Sequence, residues 1–260
     1  MSQAARQNAK ATAAIRAYWN ARIHDLEITK HPVGSKGFFA DLDEYHFDKL
    51  HHLLRLIPFE AYRGRRVLEV GCGAGTDLAR FARYGARVTG IDIANSAIGL
   101  ARLNFRQQQL ESDLIVADGE QLPFANGVFD LVYAHGVVQY TADGRRLVEE
   151  CRRVLKARGQ AIFQAYNRFS WLNALSKIMK VDLEHADAPA LRTYSIGEFR
   201  SLLTEFSHVR IVPERFPVKT RLHGGWKGAL YNGVFVGAFN VLPRTFIRPL
   251  GWHLLAFCER

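Results

Sequence analysis

No run of about 18 uninterrupted apolar residues occurs in this 260-residue chain, so no membrane-spanning helix is expected. Cysteine is scarce. Cys72, Cys151 and Cys258 show no paired spacing, which argues against a disulfide framework and fits a reducing, cytoplasmic setting. No internal repeat or low-complexity segment interrupts the chain. Acidic residues are missing before Asp25, while Arg6, Lys10 and Arg16 sit among alanines. That composition mimics a transit peptide, but an ordinary first helix is the expected reading. His46, His51 and His52 cluster, but at offsets of five and one. Helical metal ligands sit three or four apart, so no metal is expected. The aromatic-and-basic sheet motif of RNA-binding modules is also missing.

Basic charge is what the chain has in excess. The formal charge is +10 and the pI about 9.7, which favours an anionic partner such as a nucleic acid, a phospholipid surface or an acidic substrate. Ten Arg/Lys face four Asp/Glu from Arg192 onward. A solvated basic face with no partner explains such a surplus as well.

The richest segment is Val67-Leu68-Glu69-Val70-Gly71-Cys72-Gly73-Ala74-Gly75-Thr76, an apolar strand that runs into a glycine turn and then a helix. Glycines at alternate positions let the backbone turn tightly and approach a ligand, and the next helix offers free N–H groups to it. Val88-Thr89-Gly90-Ile91-Asp92 is a second strand that ends in a carboxylate, able to accept both hydroxyls of a ribose. A nucleoside-bearing cofactor is therefore expected where parallel strands end. The dinucleotide fingerprint would need a glycine where Thr76 stands, which disfavours a nicotinamide enzyme.

The Gly-x-Gly-x-Gly spacing after Glu69 resembles the class I S-adenosylmethionine (SAM) methyltransferases. Further blocks follow in order: Asp92, then Leu114-Ile115-Val116-Ala117-Asp118-Gly119, then Leu122-Pro123-Phe124 with Phe129-Asp130-Leu131-Val132-Tyr133-Ala134-His135-Gly136-Val137, then Glu149 to Gln160. The resemblance covers roughly residues 65 to 166. It implies SAM as cofactor, with the loop under its methionine and ribose, Asp92 on the ribose and Asp118 on the adenine amino group. The implied cofactor site comprises Tyr18, Glu69, Gly71, Cys72, Gly73, Gly75, Thr76, Asp92, Ile93, Asp118, Gly119, Glu120 and His135. The general look is that of the small-molecule and quinone/lipid branch. Exocyclic-amine methyltransferases carry an Asn/Asp-Pro-Pro-aromatic loop where this chain has Ala134-His135-Gly136-Val137-Val138, so a nucleic-acid substrate is disfavoured.

The expected fold is a Rossmann-like, doubly wound, seven-stranded, mainly parallel sheet with an antiparallel last strand. Residues 1–60 read as a helical cap, with helices near 8–22 and 41–57. The first carries Ile15, Tyr18, Trp19 and Ile23 on roughly one face. Residues 61–260 read as the cofactor domain, with insertions at about 167–193 and 213–250. Strands are expected at 66–70, 87–91, 114–117, 129–134, 160–166, 208–212 and 252–257. Helices are expected at 76–84, 95–109, 143–155 and 195–205, the last opened by a Ser195/Glu198 capping box. Three readings fit the aromatic 213–250 segment: a helix packed on the core, a lid over an apolar acceptor, or a surface against an anionic membrane.

Methyl transfer chiefly needs nucleophile, carbon and sulfur aligned, with a base only where the acceptor carries a blocking proton. His135, at the end of the fourth strand, is the base candidate; bonding to the cofactor is its other reading. Tyr140 could orient an acceptor oxygen. His24 and His31 could reach the site from the cap. Cys72 reads as packing, not as a nucleophile. The expected activity is SAM-dependent methylation of an apolar or amphipathic small molecule. A non-methylating enzyme of the same fold, such as a cyclase, is the alternative.

Overall fold

The computed structural model describes residues 3–22, 28–180, 182–183, 185–217, 232–233 and 236–260. Ile23, His24 and the 218–231 part of the aromatic segment, with Lys219, Arg221, Trp226, Lys227, Leu230 and Tyr231, lie outside the described residues, as do Val234 and Phe235.

Seven strands form one sheet: β1 (Arg66–Val70), β2 (Arg87–Asp92), β3 (Asp113–Val116), β4 (Phe129–Ala134), β5 (Leu155–Tyr166), β6 (His208–Glu214) and β7 (His253–Glu259). Their spatial order is β3-β2-β1-β4-β5-β7-β6. β7 pairs antiparallel with both β5 and β6, and the other pairings are parallel. This is the expected sheet.

Successive strand residues point to opposite faces, and helices cover both, so the central strands are apolar throughout. Leu68, Val70, Val132, Ala134 and Phe163 pack on one face against α6 (Gly144–Val154) and α8 (Ile196–Leu202). Val67, Leu131, Tyr133 and Ile162 pack on the other, against Leu78 and Phe81 of α4 (Thr76–Arg83) and Ile98 and Phe105 of α5 (Asn95–Gln108). The capping box forms as the sequence predicts: Glu198 N–H donates to Ser195 Oγ (3.1 Å) and Ser195 N–H to Glu198 (2.8 Å).

Two element boundaries differ from expectation. The helix expected over 41–57 is two helices, α2 (Lys36–Lys49) and α3 (His52–Leu56). Ser35, not Asp41, caps the first, because its hydroxyl accepts from Phe38 N–H (3.2 Å) while Asp41 is bonded by Thr29. Leu50 leaves helical geometry, and the restart buries His52 and Leu53. The strand expected at 160–166 begins at Leu155, directly after α6. Its register against β4 jumps from Phe129–Leu155 to Leu131–Gln160. Arg158 (φ 60°) bends the chain there, and Gly159 and Arg158 tie to Arg260 through backbone hydrogen bonds of 2.9 and 3.2 Å.

The segment after β5 contains α7 (Trp171–Met179). The one before β7 contains α9 (Val236–Val241) and α10 (Arg244–Ile247). With α1 (Gln3–Asn20), the first of these builds an aromatic cluster of Trp19, Tyr140, Tyr166, Trp252 and Leu172.

Candidate functional site

Neighbouring strands β1 and β4 lead to opposite halves of the sheet, which leaves a crevice beyond their carboxyl ends. A cavity opens there. Most of the residues expected at the cofactor site line it: Glu69, Gly71, Cys72, Gly73, Thr76, Asp92, Ile93, Asp118, Gly119 and His135, with Tyr140 beside them.

The loop is built by hydrogen bonds to β2. Gly71 and Cys72 N–H both donate to Ile91 O (2.8 and 2.9 Å), and Gly75 N–H closes the turn on Cys72 O (2.7 Å). At Gly71 (φ 72°) a Cβ would lie 2.3 Å from Val137 Cγ2. At Gly73 (φ 53°) it would meet nothing within 4 Å. The first glycine thus permits close packing, and the second keeps the backbone bare where the cavity begins. Asp92 accepts Gly73 N–H on one oxygen (3.0 Å) and Ala94 N–H on the other (2.8 Å). A carboxylate has about four lone-pair positions, so it retains acceptor capacity toward a pair of hydroxyls.

Burial pushes Asp92 and Asp118 above the usual carboxylate range, although backbone N–H groups oppose the shift. Glu69 is displaced much further. Burial and the nearby Asp77 and Asp92 raise it well above the ordinary value, and one of its oxygens has no hydrogen-bond partner. A bare glycine edge, two acids with spare acceptor capacity and a buried carboxyl with one unpartnered oxygen suit a cationic, hydroxyl-bearing nucleoside such as SAM.

Three of the expected residues are not brought to the cavity wall. Tyr18 donates to Asp187 (2.7 Å) and contacts His185. Gly75 packs against Phe105 and Ala101. Glu120 accepts Thr141 Oγ1 (2.6 Å), Asp143 N–H (2.8 Å) and Asn8 Nδ2 (3.1 Å), so its carboxylate is spent on holding loops together. His31 is set against Gly37. Cys72 is buried with its thiol pushed up by burial, consistent with packing.

The sequence reading missed Asp77 and His46. Asp77 is buried at the start of α4. It accepts Tyr133 O–H (3.1 Å) and His46 Nε2–H (3.0 Å), and His135 Nδ1 lies 3.6 Å from it. Burial alone would raise its pKa. The charge and hydrogen bond of His46, then His135 and Tyr133, overcome burial and hold it at about 2. Burial pushes the Tyr133 phenol well up, so it stays a donor. The donor atoms of His46, Asp77 and His135 lie within 4.8 Å of one another. They come from α2, α4 and the end of β4, so no local spacing could reveal them. Two imidazoles on one buried carboxylate form an oriented base, and they are also the donor set of a divalent-cation site.

Beyond this trio Trp19, Leu42, Leu50, Val137, Tyr140 and Tyr166 form an apolar and aromatic stretch of wall, into which Lys49, Gln164, Arg215 and His253 bring polar groups. Tyr140 O–H lies 3.4 Å from Tyr166 O. The described part of the 213–250 segment contributes only Arg215. Neither α9 nor α10 lines the cavity; the cap helices and the β4 and β5 ends make most of its described wall.

A family model described as a methyltransferase domain matches residues 68–163. The ubiquinone biosynthesis O-methyltransferase of Coxiella burnetii is 33% identical over 106 residues, 41% of this chain and 45% of that protein. Its counterpart in Alkalilimnicola ehrlichii is 36% identical over 153 residues, 56% of this chain and 61% of that one. The chain thus spans about half the length of the curated relatives it matches. Among solved structures, a geranyl diphosphate C-methyltransferase from Streptomyces coelicolor A3(2) gives a TM-score of 0.61 at 15% identity, covering 96% of this chain and 98% of that one. A magnesium protoporphyrin IX methyltransferase from Synechocystis PCC 6803, with bound S-adenosylhomocysteine (SAH), gives 0.59 at 14%, covering 95% and 99%. At those identities the likeness establishes the fold.

The Glu69 environment yields a stability prediction. A carboxyl whose folded value is raised binds its proton more tightly folded than unfolded. It therefore costs stability as pH rises from the ordinary carboxylate range through the raised value. Without cofactor, the melting temperature of the wild type is expected to fall between pH 5 and 8 more steeply than that of Glu69→Gln. Parallel melting curves would contradict this.

Proposed function

We propose that this chain, whose residues 68–163 form a methyltransferase domain of the class I SAM-dependent type, methylates an oxygen of an apolar or amphipathic small molecule. The observation that carries the proposal is one cavity with two chemistries. Glu69, the bare glycine edge, Asp92 and Asp118 suit the cofactor. Beside them, an imidazole pair on a buried carboxylate faces an aromatic wall.

When bound, SAM supplies an activated methyl group. The residues of this chain do the rest. Asp92 is placed to hold the sugar hydroxyls, and the loop N–H groups and Glu69 border the remainder. Trp19, Tyr140 and Tyr166 exclude water and stack the acceptor so that its oxygen meets the methyl in line, the alignment that dominates such a transfer. Asp77 sets the orientation of His135, the imidazole assigned to take the acceptor proton, as a buried carboxylate does for a catalytic histidine elsewhere. His46 and Tyr133 keep Asp77 ionised and fixed. That two curated relatives are O-methyltransferases supports oxygen as the receiving atom. A cyclase of the same fold would instead give a product with no added methyl mass.

No helix among the described residues is long and apolar enough to cross a membrane. Contact with an anionic membrane surface remains part of the proposal, supported by exposed Phe169, Ile178, Met179, Val241, Leu242 and Phe246 and by the basic excess.

Calorimetric titration with SAH is the direct test. Asp92→Ala should weaken binding about tenfold or more, the worth of a charged hydrogen bond, and unchanged affinity would refute the ribose assignment. Asp77→Asn should lower kcat by about 10²–10⁴-fold, the usual contribution of a positioned base, with SAH affinity preserved. Turnover that survives chelation supports the base role; turnover lost to chelator and restored by Mn²⁺ would reassign the trio as a cation site. Flotation with phosphatidylglycerol vesicles but not with neutral ones is expected, and flotation with neither removes the membrane contact.

A further inference from the structure

Among the described residues, the acids bordering the cavity are Glu69, Asp77, Asp92 and Asp118. Three belong to the cofactor end, and Asp77 is engaged by Tyr133 and His46. Lys49, Arg215 and His253 border the cavity as well, the last with its ring centroid 5.7 Å from that of His135, and Arg22, paired with Asp187, lines it too.

Arg215 is held in place deliberately. It closes β6 in the left-handed region (φ 61°), which a non-glycine residue rarely adopts. Its carbonyl accepts Trp171 Nε1–H (2.8 Å) and Trp252 N–H (3.4 Å), which pins the backbone. Its guanidinium donates from Nη1 to His253 Nε2 (3.0 Å). No carboxylate pairs with it among the described residues.

The hydrogen bond fixes the state of His253. A guanidinium can only donate, so Nε2 must accept, and the neutral ring carries its proton on Nδ1. His253 is 3% exposed, and Nδ1 has no hydrogen-bond partner among the described residues. Burial, followed by the positive charges of Arg215 and other neighbours including Lys49, pushes the ring well below the ordinary histidine range. Arg215 and His253 therefore bring to the cavity wall a guanidinium without a carboxylate partner and an N–H donor without an acceptor among the described residues. Buried donors left without acceptors are costly, and a guanidinium suits the two oxygens of an acid.

We infer that Arg215, His253 and Lys49 form an anion subsite, so that the acceptor is an amphipathic acid. Its carboxylate or phosphate is held at β6/β7, and its apolar body lies along Leu50, Tyr140 and Tyr166 toward the methyl end. This deepens the methyltransferase reading and rests on it for the identity of the acceptor, but the anion preference is measurable without turnover.

The test uses three eight-carbon probes, octanoate, octyl phosphate and 1-octanol, titrated into the full chain by calorimetry with and without saturating SAH. At least one acid should bind ten or more times more tightly than the alcohol. Arg215→Gln should abolish that preference while SAH affinity stays unchanged, and Arg215→Lys should retain part of it. Octanoate ahead of octyl phosphate assigns a carboxylate, and the reverse order a phosphate ester. Less than tenfold preference in the wild type overturns the subsite, as does absence of detectable acid binding. A preference that survives in a folded Arg215→Gln does so too. Should Arg215→Gln fail to fold, Lys49→Gln and the wild-type acid-to-alcohol ratio decide. SAH binding without acid preference removes the subsite alone, whereas failure to bind SAH removes the methyltransferase reading whatever the acids do.

Discussion

The site depends on a carboxylate that belongs to a different strand from the loop it organises. Asp92 ends β2, yet its two oxygens bind Gly73 of the β1 loop and Ala94 at the entry of α5. Beside that bridge, the glycine loop is held by the Ile91 carbonyl, by its own Gly75–Cys72 turn and by Asn104 Nδ2 donating to Ala74 O (2.9 Å). The parallel register between β1 and β2, with Val70 beside Ile91, puts the two strand ends level. The carboxylate then sits where it can serve loop and ligand together. Burial raises the cost of its charge, which a cationic cofactor would relieve.

A second carboxylate, Asp77, organises its own neighbours in the same cavity, and its shift runs the other way. Asp92 and Glu69 are pushed upward, while Asp77 is driven down by imidazoles and a phenol. Within one cavity, neighbouring acids are thus shifted in opposite directions, and such divergence commonly accompanies distinct chemical roles. The helical cap matters because it brings His46 and Lys49 to the cavity. The break at Leu50 then turns His52 toward His253, with ring centroids 5.7 Å apart. Aromatic side chains from α1, from the loop after β4 and from β5 close the apolar wall, and the guanidinium of Arg215 follows β6.

The central fold was legible in the chain because strands buried on both faces are continuous apolar runs, and glycine, Ser195 and carboxylates mark their ends. Local chemistry of that kind located Gly71, Gly73, Asp92 and Asp118. It also suggested Glu120, whose acid the fold uses elsewhere, and Tyr18, which turns to Asp187. A sequence motif places a residue near a site. Whether its side chain faces the ligand is set by competing partners from distant segments.

By itself, then, the sequence determined the sheet, the glycine turn and the two strand-end acids, since each follows from periodicity and backbone freedom within a few residues. Tertiary structure alone decided the His46–Asp77–His135 trio and the Arg215–His253 pair. Asp77 lies 31 positions from His46 and 58 from His135, and Arg215 lies 38 from His253, and nothing in local pattern encodes contacts across such distances. Packing of the cap on the strand ends and pairing of β6 with β7 bring them together, and burial then gives those groups properties that their free side chains lack.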